Sequence, residues 1–185
     1  MSGANFLSTI EDIVTGDGFY RDVPINLREA FLHSDGATLT TTLTTNPGFA
    51  MVNTNTLVLS WAAAKVVKAG LQFQVPGDYD ESLDVLSVWV KAGCSDAPTV
   101  TVEAFVDSAA TTDLAPDAIS ALTTAYAWRE INLDGNGLLA NDIVTLTFVP
   151  GTHAAAAVNF SAVKMRYRGD LAIFDLDERS SGTPA

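Results

Sequence analysis

The sequence predicts an all-β fold, an antiparallel β-sandwich of jelly-roll-like type, and three observations carry that reading. Apolar residues recur with a period of two in several short runs, as they do on half-buried strands. Clusters of Gly, Pro, Asn and Asp separate those runs at close intervals. No long helical period lies between them to carry a crossover between parallel strands, so the runs are expected to pair antiparallel and to pack as two sheets. With 48% apolar and 17% charged residues the chain has the composition of a folded protein, and its 185 residues are enough for one core.

Taken in order, the stretch from Met1 to about Asp35 holds a short amphipathic piece at Thr9 to Val14, then Gly16, Gly18 and Pro24, and a fit to a helical turn at Arg28 to His33. It does not read as sheet, and residues 1–35 are expected to form an irregular N-terminal arm. From Ala37 the composition changes to Ala-Thr-Leu-Thr-Thr-Thr-Leu-Thr-Thr, rich in β-branched residues, which ends at the turn signal Asn46-Pro47-Gly48. The sandwich is expected over 36–168. Trp61 to Lys65 fits either a short helix or a wandering loop. Leu71, Phe73 and Val75 then alternate before Pro76-Gly77, as do Leu86, Val88 and Val90. The clearest case is Thr99 to Asp107, where Val100, Val102, Ala104 and Val106 share one face and Phe105 alone interrupts the polar one.

Asp113 to Leu122 fits a short helix or a wandering loop, with Pro116 near the first turn. Val144, Leu146 and Phe148 resume the alternation before Pro150-Gly151. In the last run Val158, Phe160 and Ala162 give way to Val163, Met165 and Tyr167, and one extra residue at the switch would restore the facing, as a β-bulge does. Residues 169–185 are expected to be an irregular C-terminal tail.

Charge and cysteine usage narrow the function classes. With 22 acidic and 10 basic residues the net charge is −12, a field that repels phosphate, so neither nucleic acid nor an anionic membrane is an expected partner. Lys164, Arg166 and Arg168 form one dense basic cluster, which reads as a solvated strand face or as a phosphate patch. Cys94 is the single cysteine, so no intrachain disulfide forms. No basic n-region precedes the first apolar residues and no apolar run is long enough to span a bilayer, so neither a signal peptide nor a membrane span is expected.

Chemistry-bearing constellations are scarce. His33 and His153 lack second ligands at metal spacing, and His153 reads as an exposed loop histidine. Cys94 lies near Asp96, an acidic setting that raises a thiol pKa, and reads as a structural thiol. Asp134-Gly135-Asn136-Gly137 with Asn141 and Asp142 resembles part of a calcium loop but lacks its terminal Glu, so it reads as a turn or as a weak Ca²⁺ site, and so do Asp78, Asp80 and Glu81. Arg168-Gly169-Asp170 matches an adhesion tripeptide that recurs by chance. No nucleophile elbow, P-loop or dinucleotide fingerprint is present, so no enzyme and no cofactor is expected, and a sandwich hydrolase or depolymerase ranks last. Tyr79 and Tyr126 fit either sugar platforms or locally packed rings.

Phe73-Gln74-Val75-Pro76-Gly77-Asp78-Tyr79-Asp80, then Thr99 to Ala104, Trp128 to Leu133, Gly137 to Leu146 and Val158 to Arg168, together resemble β-sandwich proteins among tailed-phage head and tail genes, in particular capsid decoration or cement proteins. The resemblance spans roughly Leu71 to Arg168 and carries no catalytic residue. It implies a virion structural protein on the outer capsid surface, assembled in the host cytoplasm, with the major capsid protein and further copies of itself, taken as a trimer, as partners. The alternative is a tail, collar or fibre-base module that binds carbohydrate or a neighbouring virion protein. Apolar residues outside the sandwich are then expected at intersubunit or shell contacts: Phe6, Leu7, Ile10, Ile13, Phe19, Tyr20 and Phe31 in the arm, and Leu171, Ile173, Phe174 and Leu176 in the tail.

Overall fold

The structure, a computed structural model, describes residues 20–32, 36–37, 39, 47–52, 55–107, 112–115 and 118–169. Their strands are β1 (Tyr20–Ile25), β2 (Phe31–Leu32), β3 (Gly48–Val52), β4 (Thr56–Trp61), β5 (Ala69–Gln74), β6 (Leu86–Gly93), β7 (Val100–Val106), β8 (Ala118–Ile119), β9 (Ala127–Asn132), β10 (Ile143–Pro150) and β11 (Val158–Arg168). They form two antiparallel sheets. One runs β3-β4-β11-β6-β9, with β1 also paired to β11, and the other runs β2-β5-β10-β7-β8. The chain crosses from one sheet to the other at most connections, so neighbours in a sheet are seldom neighbours in sequence, as in a jelly roll.

The alternation read from the sequence becomes the two inner faces. Leu71 and Phe73 of β5 lie opposite Leu146 and Val144 of β10, which lie opposite Ala104 and Val106 of β7, and all six are buried. In the other sheet Val88 and Val90 of β6 face inward with Met165 and Val163 of β11. The sheets meet at three rings. Phe148 of β10 packs edge-on against Phe160 of β11, with centroids 5.2 Å apart, and Trp61 of β4 packs against Phe160 at 5.0 Å. The indole N–H of Trp61 donates to the Val67 carbonyl at 2.8 Å, so burying that ring leaves no donor unpaired.

The switch of facing in β11 is a β-bulge. Phe160 lies opposite Ala92 and Ala162 opposite Lys91, with Ser161 as the extra residue. Phe160 before it and Val163 after it are both buried, which a regular strand would not allow for residues three apart.

The N-terminal stretch corrects the expectation that nothing before Asp35 is sheet. β1 pairs along β11 from Tyr20 opposite Arg168 to Ile25 opposite Val163, and β2 pairs with β5. β1 has no alternating apolar face because it is a largely exposed edge strand, a position that also tolerates Pro24. Its ties are ionic: Arg21 pairs with Asp78, and Asp22 with Lys164 and Arg166. Of the expected helical turn, Leu27–Glu29 is a single 3₁₀ turn capped by the Asn26 side chain.

The short helix that fitted Asp113 to Leu122 is absent among the described residues. Asp113 Oδ1 accepts from the N–H groups of Ala104 and Ala115, and Leu114 N–H donates to the Ala104 carbonyl, so residues 113–115 are tied to β7, and β8 pairs with its start. Pairing with an open edge outweighs a weak helical preference.

Candidate functional site

The outer face of the six-stranded sheet is built from the positions that alternate with its core residues. Reading across the strands, Tyr20 lies beside Arg168; Asp22, Arg166, Ser87 and Asn132 form the next row; then Pro24, Lys164, Trp89 and Glu130; then Ala162, Lys91 and Trp128. Two tryptophans and four cations thus share one face of an acidic protein.

Trp89 is the fixed centre of this face. Its indole N–H donates to Ser87 Oγ at 3.0 Å, which sets the ring's tilt. The Lys164 ammonium lies 5.8 Å and the Arg166 guanidinium 5.3 Å from its centroid, and Lys164 also sits 5.2 Å from the centroid of Trp128. Asp22, delivered by β1, accepts from Lys164 Nζ at 2.6 Å and from Arg166 Nε and Nη2 at 2.8 and 3.1 Å. Hydrogen bonds from Arg166 first, and from Lys164, hold the Asp22 carboxyl down at about 2. At the end of the face Arg168 stacks over the exposed ring of Tyr20 at 5.7 Å.

Beside Trp128 the face dips into a depression of about 190 Å³ lined by Val52, Thr56, Lys91, Tyr126 and Ser161. The bulge residue Ser161 is part of its lining and donates its hydroxyl to the Lys91 carbonyl at 3.2 Å. The Tyr126 phenol is pushed up by burial, with a hydrogen bond from Asn159 acting the other way. The functional groups offered are an indole face, an ammonium and three hydroxyls, a set suited to holding a ligand.

No protein-family model and no curated protein matches the chain. Among solved structures it is similar to the xylan-binding module CBM15, at 11% identity over 83% of this chain and 99% of that one, with a TM-score of 0.47. A CBM4 structure gives 12% identity over 75% and 85%, also with a TM-score of 0.47. Xylanase10C from Cellvibrio japonicus gives 12% identity and a TM-score of 0.46, with 69% of this chain spanning 26% of the enzyme. Likeness at this level bears on no residue and no ligand of this chain.

The residues singled out in the sequence fall in different places. Lys164, Arg166 and Arg168 do share a strand face, but Lys164 and Arg166 are paired with Asp22 and stacked on indoles, not simply solvated. Tyr126 reaches the depression. Tyr79 does not: it is buried, and its hydroxyl donates to Asp84 Oδ1 at 2.8 Å. Tyr20 lies at the edge of the candidate face, and Phe31 lies in the opposite sheet with its ring over Gly70, where an added Cβ would stand 2.4 Å from the ring. Phe6, Leu7, Ile10, Ile13, Phe19, His33, Leu171, Ile173, Phe174 and Leu176 lie outside the described residues.

His153 is not an exposed loop residue. It is fully buried, with Nδ1 2.7 Å from the Gly151 carbonyl and Nε2 3.0 Å from that of Ala62. Cys94 is buried, and burial is the main cause that pushes its thiol up. The acidic turns serve the backbone. Asp134 accepts from Leu86 N–H at 2.7 Å, Asp84 from Gly137 N–H at 2.7 Å and Glu81 from Ala140 N–H at 2.8 Å, while Gly135 and Gly137 take left-handed conformations. No group of three or more His, Cys, Asp or Glu side chains is placed to hold a metal among the described residues.

Trp89, Trp128, Lys91 and Asp22 were not foreseen. The available signal was positional: Trp89 and Lys91 alternate with the core residues Val88 and Val90, so a bulky ring occupies an outward slot.

Proposed function

We propose that this chain is a structural protein of a tailed-phage particle, a decoration protein that binds the major capsid protein on the outer surface of the head as a homo-oligomer. The observation that supports this is where the two ends leave the sandwich. Tyr20 is paired with Arg168, and Gly169 bridges to Tyr79, so residues 1–19 and 170–185 start from neighbouring points at one end of the β1-β11 pair. Both segments carry large apolar side chains, from Phe6 to Phe19 and from Leu171 to Leu176, and among the described residues the buried core runs from Ala30 to Tyr167. Each such side chain contributes roughly 1.5–3 kcal/mol when buried, so several together are enough to anchor a subunit. The net charge of −12 suits an outer surface better than contact with packaged DNA.

Mass spectrometry of purified particles tests the reading. The chain is expected in hundreds of copies per head, and its absence from particles would overturn the proposal. The candidate face favours one alternative, a tail, collar or fibre-base module that uses the same sandwich to hold a carbohydrate. A few copies at one vertex or on the tail would select it.

A further inference from the structure

We propose that the outer face of the six-stranded sheet binds an acidic polysaccharide, with one carboxylate-bearing sugar residue seated between Trp128 and Lys91. The inference does not depend on where in a particle the chain sits.

The argument starts from how the cations on this face are used. Lys164 and Arg166 share the Asp22 carboxylate. Lys91 has no ion-pair partner among the described residues, and its side chain lines the depression instead. It is directly opposite Trp128 in the β6-β9 register, and directly opposed residues on one face of a sheet have their Cβ atoms about 5 Å apart. A pyranose stacked on the Trp128 ring, which is 39% exposed, therefore brings a ring carboxylate within reach of the Lys91 ammonium.

The other walls fit the rest of a sugar. Thr56 and Tyr126 offer hydroxyls, Ser161, whose own hydrogen goes to the Lys91 carbonyl, offers an acceptor, and Val52 offers an apolar patch for C–H groups. On the β11 side of Lys91 the register places Ala162, whose small side chain leaves the approach open. The size also speaks for a polymer. A depression of 190 Å³ is below the roughly 300–1,000 Å³ of sites that enclose a small molecule, so it seats one ring while the neighbouring rings cross the sheet.

Charge selects the class. The face sets Lys91, Lys164, Arg166 and Arg168 against Asp22 and Glu130, an excess of positive charge on a chain whose total is −12. At physiological ionic strength charges farther than about 8 Å are largely screened, so the polymer meets the local cations before the distant carboxylates.

The test uses the full chain with polygalacturonate and alginate as acidic probes, and fully methyl-esterified polygalacturonate and dextran as neutral ones, by affinity electrophoresis and calorimetry at about 0.15 M salt. The acidic polymers are expected to bind and the neutral ones to bind at least about tenfold more weakly. Lys91→Ala and Trp128→Ala are each expected to lose about tenfold in affinity with an unchanged melting temperature, while Lys91→Arg keeps most of the binding. Because Trp128 also touches Lys164, Lys91→Ala is the deciding variant if Trp128→Ala proves unstable. No binding to either acidic polymer, equal binding to the esterified one, or wild-type affinity in Lys91→Ala would each overturn the proposal. Particle content, which tests the assembly reading, is indifferent to all of these results.

Discussion

His153 holds together two loops that are far apart in sequence. Its ring nitrogens face the carbonyls of Gly151 and of Ala62, 91 residues away, and its own carbonyl accepts from Ala64 N–H at 2.8 Å. Ala64 is held there at a φ of 63°, a conformation that an Ala does not take unaided. The ring is fully buried, so replacing it by Ala takes a ring N–H donor away from these carbonyls and opens a gap in the packing. His153→Ala is expected to lower stability by about 2–4 kcal/mol, seen as a lower urea midpoint at unchanged slope. Nothing beside His153 in the sequence marks it as buried, because it stands between Gly151-Thr152 and a run of alanines and its distant partner is a backbone atom. Trp128 was hidden for a related reason: a tryptophan is legible as bulk, but its outward direction depends on the register of β9, which the preceding irregular segment sets.

At the level of elements, the strands that bury one face were legible and those that do not were missed. β5, β6, β7, β10 and β11 each repeat an apolar residue every second position, and even the break in β11 gave away its bulge. That bulge yields a sharp expectation. Deleting Ser161 alone turns the bulge into regular strand and keeps Phe160 and Val163 on one face. Deleting Ser161 and Ala162 together would carry Lys164 and Arg166 to the core side and Val163, Met165 and Tyr167 outward, so the double deletion is expected to abolish cooperative folding, whereas Ser161→Ala stays within about 1 kcal/mol of the parent. Calorimetry of the two variants separates register from the loss of one hydroxyl. β1 was missed because charge, not burial, ties it down, and this makes it sensitive to acid. The Asp22 pKa falls from 3.8 to about 2 on folding, so its contribution is complete above 3.8 and lost as pH drops through about 2. Trp89 stacks on both of Asp22's partners and reports the change. Indole fluorescence is expected to show a step between about pH 4 and pH 2 that Asp22→Asn lacks.

For the molecule as a whole, the sandwich was legible and the position of its ends was not, since only the pairing of β1 with β11 brings Tyr20 beside Arg168. That pairing also fixes where a test of assembly has to cut. A truncation running to Arg21 would remove the start of β1 and the partner of Asp78, and would confuse folding with assembly. Removing residues 1–18 and 170–185 keeps every strand among the described residues, together with the ties of Arg21 and Asp22. If the apolar arms serve contacts between subunits, the trimmed chain gives up oligomerisation but little stability. Light scattering is expected to find an oligomer for the full chain and a monomer for the trimmed one. Calorimetry is expected to find melting temperatures within a few degrees, since each 1 kcal/mol shifts a domain of this size by about 2–4 °C. A trimmed chain without a cooperative transition, beside a full chain that is already monomeric, would place those side chains in the sandwich's own core and remove the physical support for an anchoring role.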